Sequence, residues 1–271
     1  MYNYVRKARS KINHLKQKVS FIYHESKAHN LAKNYSIGDG YKRIYLFHIR
    51  KTGGTSLNNI FLSLGGEDGK EIYQKVCQEK RVLSNGKFFI GWDKNKIQKG
   101  NYYYGFSHLP FHQINLPENT FTITCLRHPV ERILSLYKML SYYRDNNIYH
   151  PGMKRQKHWL GQTFESFIEK IPKEELFNQI YMFSEKFDIE EAFKNITTLS
   201  YFFFTENFDQ GIAELSYKLN LSLSPTHSRK SAQSLEINPQ TIQVLEQKLA
   251  PEFELYNKLK EYKKAQENLC A

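Results

Sequence analysis

Six consecutive residues, Lys51-Thr52-Gly53-Gly54-Thr55-Ser56, put a cation, three hydroxyls and two glycines between the apolar run RIYLFHI and a helix-patterned segment, SLNNIFLSLGG. Glycines let the backbone curl until successive N–H groups point into one concavity, and a following helix adds the partial positive charge of its N-terminus. The chemistry favoured by this arrangement is the cradling of an anion. The competing reading is an ordinary glycine turn with Thr55 or Ser56 as an N-cap. The segment is not a Walker A loop, because its lysine precedes the glycines and no G-K-[ST] follows, so the magnesium logic of ATPases does not carry over.

Two further sets lie downstream. Arg127 closes the apolar run FTITCL, and Ser135 follows eight residues later. A guanidinium offers a planar fork suited to a phosphate, and a hydroxyl about two helical turns on supplies a second donor. Glu131 is the competing partner for that arginine. Between the two anion motifs lies His108, in GFSHLPF. A neutral imidazole there takes a proton near neutral pH. A turn histidine bonded ahead of Pro110 is the alternative. Among the rivals, His48 lies inside a strand and reads as structural, while His112 stays open.

These residues need a frame to hold them. Arg43 to Ile49, Asn101 to Phe106, Phe121 to Leu126 and Leu199 to Phe204 are apolar runs of strand length. Helical spacing follows them at Leu57, Ile60, Phe61 and Leu64, at Val130, Ile133, Leu134 and Tyr137, and at Ile212, Leu215 and Leu219. A long helical region is expected from about 164 to 196, and a closing helix through Ile242, Leu249 and Leu259 is interrupted by Pro251. Continuous apolar strands alternating with helices predict the α/β class, a P-loop-like three-layer fold with a central parallel sheet flanked by helices. In open sheets of this kind ligands bind outside the carboxyl ends of the strands. All three chemical sets fall at such ends.

The chain has 271 residues, 40% of them hydrophobic, enough to bury a core and to exclude a disordered or fibrous protein. The expected organisation is a basic helical extension over 1–40 and a single domain over 41–271. A net charge of +12 calls for anionic partners. Residues 1 to 33 hold eight Lys or Arg against one acid, Glu25, and so carry more than half of that excess. Their thin apolar stripe leaves two readings, a helix packed on the domain or peripheral contact with an anionic membrane. Cys77, Cys125 and Cys270 form no C-x-x-C pair, so reduced thiols and no structural metal are expected. No apolar run approaches the ~18 residues of a membrane span and no signal-peptide core opens the chain, which favours a cytoplasmic protein.

Strand-HIRKTGGTS-helix together with strand-LRHPVERILSLY-helix resembles the sulfotransferases that use 3′-phosphoadenosine 5′-phosphosulfate, specifically the carbohydrate-modifying group of uronyl 2-O-sulfotransferases and their bacterial relatives. The likeness is good over about Arg43 to Tyr137 and looser through FFFTENFDQGIAEL. It implies that Lys51, Thr52, Gly53, Gly54, Thr55 and Ser56 bind the 5′-phosphosulfate, that Arg127 and Ser135 bind the 3′-phosphate, and that His108 matches the general base of a G-H-x-x-[FY] segment. That last match is partial, because Phe106 and Ser107 separate Gly105 from His108. Arg50 stands where the family has Pro, and His128 where Asp often follows the binding arginine. Arg229 and Lys230, in THSRKS, are candidates to close over the 3′-phosphate.

The expected reaction is in-line sulfuryl transfer to a glycan hydroxyl, with His108 as base, Lys51 meeting charge on the sulfuryl oxygens, and no metal. The acceptor is a glycan, anionic or lipid-linked. Lys138, Arg144, Lys154, Arg155 and Lys157, interleaved with Tyr142, Tyr143, Tyr149 and Trp159, are candidates to line its groove. Two other classes compete. A P-loop kinase needs the missing G-K-[ST], and a basic nucleic-acid-binding protein leaves the paired anion motifs unexplained.

Overall fold

A computed structural model of the chain describes residues 25–150, 153–225 and 237–270. Arg229, Lys230 and residues 1–24 of the basic extension lie outside the described residues. Helix α1 covers 25–34 and buries Ala28 and Ala32 against the domain. Then follow β1 (Arg43–Phe47), α2 (Gly54–Ser63), α3 (Gly69–Glu79), β2 (Arg81–Ser84), β3 (Lys87–Gly91), α4 (Lys94–Lys99), β4 (Tyr104–Ser107), β5 (Thr120–Leu126) and α5 (Pro129–Asp145). The second half runs α6 (Met153–Leu160), α7 (Phe164–Lys170), α8 (Lys173–Leu176), α9 (Asn178–Tyr181), α10 (Ile189–Thr197), β6 (Tyr201–Phe204), α11 (Phe208–Leu219), α12 (Pro239–Lys248) and α13 (Ala250–Cys270).

Six strands form one sheet in the order β2-β3-β4-β1-β5-β6. All neighbours are parallel except the β2–β3 hairpin at one edge. Alternation along β1 assigns the two covering layers: Ile44 and Leu46 join a cluster with Leu57, Phe61 and Ile212, whereas Tyr45 and Phe47 join one with Ile180, Ile196 and Leu255. Helices therefore cover both faces, as the continuous apolar strands required.

Two features go beyond the expected pattern. The hairpin of β2 and β3 was not anticipated, although Asn85 and Gly86, at φ 45° and 69°, supply the Asn-Gly turn that joins it. The long helical region expected over about 164–196 is divided into four helices, α7 to α10. Pro172 starts one break, and Phe187 at φ 59° followed by the N-cap Asp188 makes another.

After β1 the chain moves outward to the β2–β3 edge, returns as β4 beside β1, and then crosses to β5 on the other side. The carboxyl ends of β4, β1 and β5 are thus neighbours at the point where the winding reverses, which is where open α/β sheets form their ligand crevice.

Candidate functional site

The loop after β1 is held from below. Thr52 is buried, and its hydroxyl donates to the Ile49 carbonyl at 3.0 Å. The Thr205 hydroxyl lies 3.1 Å from the Thr52 carbonyl and 2.9 Å from that of Leu126, joining the ends of β1, β5 and β6. Lys51 and Gly53 adopt left-handed conformations, φ 68° and 84°. Lysine pays roughly 1–2 kcal/mol for that geometry, so the surrounding contacts must impose it. Gly53 caps α2 with no side-chain hydrogen bond, and its carbonyl takes the Ser56 amide at 2.9 Å. A Cβ on Gly54 would lie 2.0 Å from His48 Cδ2, so only glycine fits beneath that ring.

Arg127, the first residue past β5, is half-buried. Its Nη1 donates to the Lys51 carbonyl at 3.3 Å and its Nη2 meets Glu131 at 3.4 Å. The competing Glu131 pairing is therefore present alongside the approach to the loop. Along α5, Glu131, Ser135 and Met139 recur at intervals of four and share one face. Glu131 touches Arg127, while Met139 Sδ lies 3.4 Å from Lys51 Nζ. Half-buried Ser135 lies between these two positions along the helix.

His108 follows β4 directly and is half-buried. Its Nδ1 lies 2.5 Å from the carbonyl oxygen of His48. A carbonyl only accepts, so Nδ1 carries the proton and Nε2 keeps its lone pair in the neutral ring. Burial, and then the Arg50 charge, push the pKa of His108 down to about 4, against the opposing effect of the His48 carbonyl. The ring is neutral at pH 7.

His48 packs its ring 4.4 Å from that of His108. It is buried, with Nδ1 3.4 Å from Asn58 Nδ2, and Asn58 Oδ1 accepts from the Tyr104 hydroxyl at 2.7 Å. Burial first, then the neighbouring His108, Arg50 and Lys51, hold it well below the ordinary histidine range. These contacts fit the structural role expected of it. His112 is exposed on a short turn with its ring 5.7 Å from that of Tyr181.

Sequence reasoning missed the supports. Asn178, Gln179, Arg132 and Glu252 are all buried; Asn178 and Gln179 accept from the amides just beyond β1 and β5, and Glu252 accepts from Gln179 and faces Arg132. Among the expected acceptor residues, Tyr142 and Tyr149 are exposed, whereas the Trp159 ring packs 5.7 Å from Phe167. A cavity of about 370 Å³ beside α5 is lined by Arg144, Lys157 and Lys170 together with Gln162, Thr163 and Ser166. Among the described residues no group of three or more His, Cys, Asp or Glu is placed to hold a metal, and no helix is long and apolar enough to cross a membrane.

The candidate donors are the N-terminus of α2, Lys51, the Thr55 and Ser56 hydroxyls, Arg127 and Ser135. Donors of these types suit a ligand with two separate anionic groups.

Comparison with known proteins agrees with this chemistry. The model of the Sulfotransferase family matches residues 33–182, more than half of the chain. Heparan sulfate 2-O-sulfotransferase 1 of Homo sapiens is 26% identical over 125 residues, covering 44% of this chain and 34% of that protein. The Mus musculus protein of the same name is 29% identical over the same length and shares. The chain thus aligns with about a third of the length of these relatives.

Proposed function

The chain belongs to the sulfotransferase family, and from that premise we propose that it moves a sulfuryl group from 3′-phosphoadenosine 5′-phosphosulfate to a hydroxyl of a glycan. The glycan class follows from the names of its relatives, which act on heparan sulfate. One observation carries the reading. Arg127 Nη1 reaches the Lys51 carbonyl at 3.3 Å and His108 Nδ1 reaches the His48 carbonyl at 2.5 Å, so both anion motifs and the histidine are built onto residues 48–56.

The residues fit the nucleotide by their donor chemistry. Lys51, Thr52, Thr55, Ser56 and the amides around Gly53 and Gly54 would hold the 5′-phosphosulfate. Arg127 and Ser135 would hold the 3′-phosphate. When bound, this co-substrate supplies an activated sulfuryl group and a nucleotide leaving group. His108 Nε2 takes the acceptor proton as attack develops, an effect typically worth ~100 to 10,000-fold. Lys51 and the loop amides stabilise charge growing on the sulfuryl and bridging oxygens, in positions fixed before reaction begins. Burial, and then the charge of Arg50, which is paired with Glu175 at 3.0 Å, keep His108 neutral.

A thermal-shift titration tests the nucleotide half of this reading. Adenosine 3′,5′-bisphosphate should raise the unfolding temperature at concentrations where ATP with magnesium does not. Equal or better stabilisation by magnesium ATP would favour a phosphotransferase instead.

A further inference from the structure

The two anion motifs come from strands separated in sequence, and their separation has to match the ligand within a fraction of an ångström. Two adjacent side chains of α9 span it. Asn178 Oδ1 accepts from the Arg50 amide at 3.2 Å, and Gln179 Oε1 accepts from the Arg127 amide at 2.8 Å. The opposite ends of both side chains are tied to the body of the protein. Asn178 Nδ2 donates to the Glu174 carbonyl at 3.0 Å. Gln179 donates twice to one buried carboxylate, from its backbone N–H to Glu252 Oε1 at 2.7 Å and from Nε2 to Glu252 Oε2 at 2.8 Å. A carboxylate only accepts, so the NH2 of Gln179 must face Glu252, and its oxygen must therefore face Arg127.

Glu252 is fixed in turn. It lies 3.5 Å from Arg132 Nε, and both groups are fully buried. Arg132 also donates to the carbonyls of Glu175 and Leu176, which close α8. The same segment reaches the third strand end, where the Phe111 amide donates to the Met182 carbonyl at 2.7 Å. Residues 175–182 are thus bonded to the chain beyond each of β1, β4 and β5. Glu252 lies on α13, outside the 33–182 stretch that matches the family.

We infer that Asn178 and Gln179 are positioning residues that set the spacing between the Lys51 loop and Arg127, and that Glu252 locks Gln179 in this role. The inference rests on the assignment of Arg127 to the 3′-phosphate. It makes the C-terminal helix part of the nucleotide site without touching the nucleotide.

The test compares dissociation constants of AMP and adenosine 3′,5′-bisphosphate, which differ only by the 3′-phosphate. Wild-type protein should bind the bisphosphate at least tenfold more tightly. Gln179→Met should lose most of that preference while its affinity for AMP stays within twofold, and the acid limb of kcat/KM should not move. Glu252→Gln, which keeps an oxygen to accept from Gln179 but gives up the charge facing Arg132, should lose about threefold of the preference. If Gln179→Met shows no cooperative unfolding transition, Glu252→Gln decides. An unchanged preference in the folded variants, or an equal loss for both ligands, overturns the inference and leaves the network a purely stabilising role. A wild-type protein with no preference overturns the Arg127 assignment and this inference together.

Discussion

His108 Nδ1 lies 2.5 Å from the main-chain carbonyl of His48, the residue that also roofs Gly54 at the start of α2. One backbone segment therefore fixes the tautomer of the candidate base and shapes the anion cradle beside it. Turning the ring so that Nε2 faced the carbonyl would break this bond.

The first expectation concerns pH. Burial and Arg50 lower the His108 pKa to about 4, so the neutral base persists well below pH 6.5. In a profile of kcat/KM, which reports free-enzyme ionisations, the acid limb attributable to His108 should fall near pH 4 to 5. Stability has the same sign. The unfolded histidine binds its proton near pH 6.5 and the folded one only near 4, so the contribution is complete above 6.5 and is lost as pH falls through 4. An acid limb centred at 6.5 would contradict the geometry.

Removing the imidazole should separate binding from turnover. His108→Ala is expected to lower kcat by ~100 to 10,000-fold while leaving the dissociation constant of adenosine 3′,5′-bisphosphate within a factor of about two. Isothermal titration and initial rates on the same preparation check both halves. Near-normal turnover would move the base elsewhere, with His112 the next to examine.

Arg127→Ala should weaken adenosine 3′,5′-bisphosphate binding by about 10- to 100-fold, the range for a charge-assisted hydrogen bond of roughly 1.5–3 kcal/mol. Affinity for AMP should barely change. Lys51→Ala, by contrast, should weaken both ligands, because the 5′ group is common to them. Parallel losses in the two variants would argue against separate ends of one nucleotide.

Gly54→Ala places a methyl 2.0 Å from His48 Cδ2, in a buried site where the ring has Asn58 behind it. Overpacking of this kind costs typically about 1–3 kcal/mol. Thermal unfolding should register that loss, and nucleotide affinity should fall with it because the ring and the loop must move apart. A variant with unchanged melting temperature and affinity would show that the loop tolerates a different shape.

How much of this was legible beforehand follows from the range of each interaction. The loop after β1, Arg127 with Ser135, and His108 announce themselves because each is a local pattern at a strand end, and the α/β alternation places strand ends together. The β2–β3 hairpin has a local signal in Asn85-Gly86, but its strands are short. The breaks between α7 and α10 depend partly on Phe187 at φ 59°, which composition does not reveal. Least legible were Arg132, Gln179 and Glu252. Arg132 lies among the apolar positions of α5, and its carboxylate partner is supplied by a helix from the far end of the chain, so no periodicity or motif links them.

Transfer of radiolabelled sulfate from 3′-phosphoadenosine 5′-phosphosulfate to a panel of polysaccharides, heparan sulfate among them, by wild-type protein and His108→Ala bears on the central claim most directly. Label should appear in at least one glycan with wild-type protein and fall at least about 100-fold with the variant. Equal labelling by both proteins, or wild-type protein that binds the nucleotide yet labels no glycan, would contradict the account.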